Sequence, residues 1–519
     1  MFNSSFPRYL WCLPAIILVV IIYPIGINLT VGSGAYEIDG PDITMQLDDI
    51  SKGFARDNPT RNFEIFHSMV AGSVYVPYIW ARTSILPPYD LKALDAKAPS
   101  LRSELVILCR LMNIIAALGI LIIAFYLLCL LTKGYLPPLL TSLGIAVNPN
   151  LMFQSNVLYY ENWSVFWVML SALCFVKVIL NKKNALLWLS GFFIMASFAV
   201  SSHERMYGYY VFTAPFLLYK FYRNGLADKK PHRMLILYIL TALAVGLTAF
   251  CMANNVFQYG FRPVIEYVKF KSMGINTSSD RMNGLTGLLN NQIRCQAHAL
   301  WLAFWNSGTI LPFFSLYGAA AIWRKRFYPA LAVLLFPIGY QVLSVGLPGW
   351  TSGRYVLGQT IFVVVFAGFG IAYLTDRAKN RNIANAALAL FIAALISESF
   401  IMCMAKIANT YYHPYRVIES IARDPSSRGK KIVVQGFTYS KDELCRRYDV
   451  RCEVVSEGEK DCPDADIIVS TDKDTLSCGR VRREELRVPP AWLVFLVKRQ
   501  CYLYTKGASA VRIQWCDNG

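Results

Sequence analysis

Apolar runs of roughly 20 residues recur from the start of the chain to about residue 404, and they constrain its fold more than any other feature. A helix of that length crosses ~30 Å of hydrocarbon and satisfies its own backbone groups there, which open sheets and lipid-exposed loops cannot do. Such spans are read at 10–31, 105–131, 135–158, 163–180, 185–201, 208–221, 234–256, 299–323, 327–347, 355–374 and 383–404, about eleven in all. A β-barrel is excluded by the same pattern. With 55% hydrophobic and only 16% charged residues among 519, an ordinary soluble domain is excluded as well. The first run, preceded by Arg8, exceeds the ~7–15 residues of a signal-peptide core and reads as an uncleaved anchor. The small residues at 31–35 leave cleavage as the alternative.

The net charge of +18 would point to a nucleic-acid partner if it covered a soluble surface. Instead it falls in every second loop: Lys133; Lys177, Lys182 and Lys183; Lys220, Arg223, Lys229, Lys230 and Arg233; Arg324, Lys325 and Arg326; Arg377, Lys379 and Arg381. Short loops rich in Lys and Arg stay cytoplasmic, so the charge reports topology and no nucleic acid is expected. One missed span would move every later cluster to the wrong side, and none is misplaced. The N-terminus is then cytoplasmic and the C-terminal tail outside. Asp48, Asp49, Glu161, His203, Arg205, Arg354 and the loop 257–298 fall on that outer face.

Two regions follow. Residues 1–406 form a transmembrane domain with a long first outer loop, 32–104, and a second at 257–298. Within the first loop, 69–81 (MVAGSVYVPYIWA) is apolar but too short to span, and reads as a helix in the interface or one packed over the bundle. Residues 407–519 are richer in charge and contain strand-like runs at 431–435, 466–470 and 492–497, so a small extracytoplasmic α/β domain is expected. Six of the 13 cysteines lie there: Cys445, Cys452, Cys462, Cys478, Cys501 and Cys516, with Cys295 in another outer loop. No C-x₂-C pairs argue for zinc, so disulfides are the better reading outside the cytoplasm, their pairing left open.

The stretch Met45-Gln-Leu-Asp48-Asp49-Ile-Ser-Lys-Gly-Phe54 places two adjacent carboxylates just outside the membrane. A solvated surface pair is the bland alternative, but Phe66-His67 and the aromatic run 75–80 follow. Together with Cys109-Arg110-Leu111, Ala146-Val-Asn-Pro149, the run Ser155-Asn-Val-Leu-Tyr-Tyr-Glu161 and Gly353-Arg354-Tyr355, the pattern resembles the GT-C glycosyltransferases. The protein O-mannosyltransferases and aminoarabinose transferases are nearest in pattern, and the resemblance runs from the first span to about residue 375.

The resemblance implies a mainly α, polytopic enzyme of an envelope membrane, here a bacterial inner membrane. It would move a sugar from a polyprenyl-phosphate donor to a hydroxyl on a lipid, glycan or protein acceptor, with inversion. Asp48 matches the general base in position; the family usually shows Asp-Glu where this chain has Asp-Asp, so Asp49 has no settled role and the base could sit one residue on. Arg205 and Arg354 are the candidate phosphate ligands, and Glu161, His203 and Tyr355 the candidate substrate-binding residues.

The chemistry agrees with these roles. A sugar hydroxyl is a poor nucleophile, and a carboxylate within ~3 Å accepts its proton as the new bond forms. A guanidinium fork meets the charge that grows on the leaving phosphate. No cofactor is called for, and a divalent metal ranks below arginine as the phosphate's partner. For Arg205 and Arg354 the plain alternative is an interfacial anchor; for Glu161 it is a helix-end charge, and for His203 a structural histidine. Arg110 could pair with an acid of the first loop. In the loop 257–298, Arg262, Glu266, Lys269, Lys271, Arg281 and Arg294 surround Tyr259, Phe261, Tyr267 and Phe270, which suits a lipid-phosphate or glycan site, with a general membrane-surface contact as the plain alternative. The rival readings are a ligase-like transferase with a pyrophosphate-linked donor, a flippase for a lipid-linked sugar, and a non-catalytic partner in an envelope complex.

Overall fold

The computed structural model describes residues 8–25, 27, 43–54, 64–156, 161–180, 184–266, 284–308, 310–345, 356–377, 381–412, 414–435, 450–455, 465–471, 481–488, 491 and 511–516. Arg354, Tyr355, the strand-like run 492–497 and the loop stretch 267–283 lie outside them.

Helix α1 (Leu13–Ile22) opens a chain that is helical almost throughout to Arg423. The first outer loop folds into α2 (Ile43–Ser51), α3 (Glu64–Thr83) and α4 (Leu91–Lys97). In α2 the buried positions Ile43, Gln46, Leu47 and Ile50 make one stripe, which leaves Asp48 and Asp49 on the half-exposed side. The helix stops where Gly53 takes φ +60, a left-handed cap that glycine accepts without a Cβ clash. In α3 a four-residue repeat buries Ala71, Tyr75 and Ile79 against α2 and the next helix. This helix is longer than the 69–81 segment expected and keeps Pro77 inside it.

Helix α5 (Leu101–Leu131) has 31 residues, about 46 Å at 1.5 Å per residue, and so exceeds the ~30 Å hydrocarbon layer. Its first turns, Leu101 to Cys109, belong to the core of the first-loop module, and the rest, from Ile114, to the core of the bundle. One helix therefore fixes the acid pair relative to the spans. Its first turn is tied down by Glu104, which accepts from Arg82 Nη2 (2.9 Å), Arg82 Nε (3.1 Å), Tyr78 Oη (2.7 Å) and Ser100 Oγ (2.8 Å).

The bundle continues with α6 (Leu136–Ala146), α7 (Pro149–Gln154), α8 (Glu161–Ile179), α9 (Ala185–Ser202), α10 (Tyr210–Ala227) and α11 (His232–Ala253). After α12 (Gly284–Ser307) and α13 (Leu311–Lys325) come two short helices, α14 (Tyr328–Val333) and α15 (Leu335–Gly339), and a π-helical turn, Tyr340–Val345. Helices α16 (Leu357–Arg377) and α17 (Arg381–Tyr412) close it. Among the described residues, five helices are long and apolar enough to cross a membrane: α5, α8, α9, α11 and α16, with a sixth if the bent pair α12–α13 counts as one span. About eleven were expected.

Part of the difference has local causes. The expected span 135–158 is interrupted between Ala146 and Pro149, the span 299–323 turns by 110° at a break around Gly308, and the span 327–347 is divided into α14, α15 and the π turn. Helix α16 is the most buried of the five and α11 the least, so α16 is the centre of the bundle and α11 its margin.

Chain alternation puts the starts of α5, α8, α10 and α16 and the ends of α9 and α11 at one end, with Asp48 and Asp49. The opposite end collects the cations, where Lys177 lies over the Trp188 ring (5.2 Å) and Lys325 over Tyr373 (4.5 Å).

After α17, α18 (Pro414–Arg423) precedes a five-stranded sheet of order β2-β1-β3-β5-β4. Its strands are β1 (Lys431–Gln435), β2 (Arg451–Val455), β3 (Ile467–Thr471), β4 (Val481–Arg487) and β5 (Val511–Cys516). The first three pair in parallel, and β5 runs antiparallel to β3 and β4. Ile432, Val434, Ile467 and Val469 face α18, whereas Val433 and Ile468 face the other side, the period of two expected of strands buried on both faces. Cys516 is disulfide-bonded. Cys295 is instead a free, buried thiol on α12, so the disulfide expectation does not extend to it.

Candidate active site

The two carboxylates are held differently. Asp49 Oδ2 accepts a hydrogen bond from Ser68 Oγ of α3 at 2.7 Å, so its orientation is set by the neighbouring helix. Asp48 lies one position round α2 and pairs with Lys52 at 3.0 Å, both side chains about half exposed. Ion pairs of this exposure contribute roughly 0–1 kcal/mol, so Lys52 yields easily to an incoming group.

Beside Ser68, His67 is buried, and burial holds its imidazole below the ordinary histidine range, at about 4. Phe66 then stacks on Phe198 of α9 (5.2 Å) and approaches Trp167 of α8 (6.5 Å), which docks the start of α3 on the bundle. Asn255 Nδ2 reaches the Gly53 carbonyl at 3.5 Å from the end of α11.

Arg205 sits in a 3-10 turn, Glu204–Tyr209, between α9 and α10, and is only 7% exposed. A guanidinium at that depth is not an ordinary surface anchor. His203 precedes the turn in extended conformation, and its Nδ1 accepts from Arg205 N (3.1 Å). The turn is locked to the π turn from the other side. Ser344 Oγ donates to the Arg205 carbonyl, and Tyr209 stacks on Tyr340 with centroids 4.4 Å apart.

The two backbones cross at Gly208 and Gly339. A Cβ on Gly339 would stand 2.4 Å from the Gly208 carbonyl oxygen, and one on Gly208 would stand 3.0 Å from Tyr340 Cα. Only glycine fits either position.

Glu161 is 2% exposed in the first turn of α8. The next residue, Asn162, donates to the Asn113 carbonyl (3.2 Å) and Ser155 Oγ (2.8 Å). Arg110 is also buried, and its Nη1 donates to the Ile27 carbonyl (2.6 Å), which anchors the segment after α1. In the second outer loop Arg262 pairs with Glu266 at 2.8 Å on the surface. Among the described residues no three His, Cys, Asp or Glu side chains gather as metal ligands would.

The structure thus brings Asp48, Asp49, Glu161, His203 and Arg205 to one end of the bundle. Sequence reasoning missed Ser68, the crossing glycines and the glutamines of α12, the π turn and α16, because each acts through a partner remote in the chain. The one available signal was Ser68 itself, a hydroxyl beside His67 at the head of an apolar helix.

No family model matches the chain, and no curated protein matches it in sequence. By fold and composition it is a polytopic helical membrane protein. Among solved structures it is similar to the archaeal oligosaccharyltransferase AglB from Archaeoglobus fulgidus, in complex with an inhibitory peptide and a dolichol-phosphate. That match has 11% identity, covers 91% of this chain and 70% of that one, and has a TM-score of 0.42. It is also similar to ArnT from Cupriavidus metallidurans bound to undecaprenyl phosphate, at 11% identity over 97% of this chain and 98% of that one, TM-score 0.42.

Proposed function

We propose that this chain is an inverting membrane glycosyltransferase that transfers a sugar from a polyprenyl phosphate to an acceptor hydroxyl on the extracytoplasmic face. The observation that carries the reading is the pairing, at one end of the bundle, of a half-exposed acid pair on α2 with the buried, clamped Arg205. The basic residues of the opposite end support an N-terminus in the cytoplasm and an acid-bearing end outside.

In this reading the acceptor oxygen attacks the anomeric carbon as the bond from that carbon to the phosphate oxygen breaks. The acceptor proton passes to the Asp48 carboxylate, displacing Lys52, and the lipid leaves as its monophosphate. Attack opposite the leaving group inverts the centre. Asp49, fixed by Ser68, orients the acceptor. Arg205, held in its buried turn, meets the charge that grows on the leaving phosphate.

The test is release of polyprenyl phosphate from a polyprenyl-phosphate sugar by the purified chain in lipid nanodiscs. Asp48→Asn is expected to lower it by about 10²–10⁴-fold, the usual worth of a positioned base. Full activity in both Asp48→Asn and Asp49→Asn would remove the acid pair from the mechanism.

A further inference from the structure

Three glutamines from three separate elements form a ladder beside Arg205. Gln359, in the first turn of α16, donates through Nε2 to Gln341 Oε1 of the π turn. Gln341 Nε2 in turn donates to Gln296 Oε1 (2.6 Å) and to the Gln296 carbonyl (2.9 Å) on α12. The ladder adjoins the Arg205 turn through the π turn, where Gln341 lies three residues before Ser344, which bonds the Arg205 carbonyl.

The ladder does not use all of its hydrogen-bonding capacity. Gln359 is 4% exposed, yet its Oε1 has no partner among the described residues. At the other end Gln296 is half-buried and spends its Oε1 on Gln341, which leaves its NH₂ group to donate. A buried acceptor without a partner costs roughly 1–3 kcal/mol, so its persistence needs a ligand or a water to meet it. One end of the row accepts and the other donates, and no rung carries a charge.

We infer that the Gln296–Gln341–Gln359 ladder reads the sugar of the donor and selects an uncharged, hydroxyl-rich headgroup. The inference rests on the glycosyltransferase reading above. A hydroxyl both donates and accepts, and so matches both ends. An ammonium only donates and leaves the Gln296 NH₂ facing a cation; a carboxylate only accepts and leaves the Gln359 oxygen facing an anion. Sites built on neutral amides reject such analogues because the buried polar groups are left unpaired or opposed.

The experiment compares four ligands on the full chain in nanodiscs: undecaprenyl phosphate alone and its glucose, glucosamine and glucuronic acid conjugates. Binding is read from intrinsic tryptophan fluorescence. The glucose conjugate is expected to bind roughly tenfold more tightly than either charged conjugate, the worth of about one unpaired buried group. Gln296→Glu keeps the acceptor that Gln341 uses but turns the free donor into a charged acceptor. It is expected to move the ranking toward glucosamine, which a purely structural glutamine row would not do. If undecaprenyl phosphate binds but the three conjugates rank equally, or Gln296→Glu leaves the ranking unmoved, the ladder is structural and the inference falls alone. If undecaprenyl phosphate itself does not bind, the glycosyltransferase reading fails and takes the inference with it.

Discussion

The α2 acid pair and the Arg205 turn make up the two halves of the candidate site, and they are held in opposite ways. Asp48 and Asp49 stand on a nine-residue helix, where Ser68 donates to Asp49 and the half-exposed Lys52 pairs with Asp48. Arg205 is gripped by a backbone crossing, a tyrosine stack and a serine bond. A group that must receive a proton from a varying acceptor benefits from exposure. A group that must meet a fixed phosphate benefits from being immovable, because a preorganised charge need not reorganise as the reaction proceeds.

Beyond the loss already expected for Asp48→Asn, the largest effect from breaking this contrast is at the clamped half. Arg205→Ala should lower phosphate-dependent transfer by about 10²–10³-fold, the range seen when a preorganised transition-state donor is lost. Arg205→Lys should recover only part of it, since an ammonium lacks the fork. Steady-state rates against donor concentration check both.

Next comes pH. The unfolded chain protonates His67 at its ordinary value near 6.5, while the buried imidazole waits until about 4. Between those values the unfolded state binds more protons, so stability falls as pH drops from about 6.5 toward 4, by at most about 3 kcal/mol. His67→Gln should flatten that slope in thermal unfolding across this pH window. A smaller loss, about 1–3 kcal/mol of overpacking, is expected for Gly339→Ala, with transfer reduced along with the melting temperature.

On the loosely held half two supporting contacts can be removed. Ser68→Ala removes one hydrogen bond to a carboxylate, expected to cost about 1.5–3 kcal/mol at most and to show as a lower kcat with little change in donor KM. Lys52→Met should change stability by less than about 1 kcal/mol and leave transfer intact or slightly raised, since the competing cation is gone. If Lys52→Met proved as damaging as Arg205→Ala, the contrast between the halves would collapse.

How much of this was legible in the chain follows the same division. Asp48 and Asp49 stood out because two acids interrupt an apolar context, and adjacent residues need no long-range partner to be noticed. The expected spans at 105–131, 163–180, 185–201, 234–256 and 355–374 reappear as α5, α8, α9, α11 and α16 within a few residues, since each is a continuous apolar run. Runs at 135–158, 299–323 and 327–347 also read as apolar on average, but averaging hid Pro149, Gly308 and Pro337, at or near which the helices break.

Arg205 could be singled out by its place at the end of a span, but not its clamp. Gly208 and Gly339 look like isolated glycines in sequence, and only the fold shows that each is required by the other. The glutamine ladder was invisible for the same reason: a glutamine in an apolar run signals nothing until its partner is known. Strand β1, by contrast, coincides with the run 431–435, whose composition alone specifies a strand.

The most direct measurement is mass spectrometry of envelope glycans and lipids from cells lacking this chain, complemented with the intact chain, Asp48→Asn, or Asp48→Asn with Asp49→Asn. The account predicts a sugar-sized mass that returns with the intact chain and stays absent with both variants, all three proteins being present in the membrane. Equal restoration by the doubly substituted chain would contradict acid-base transfer at α2.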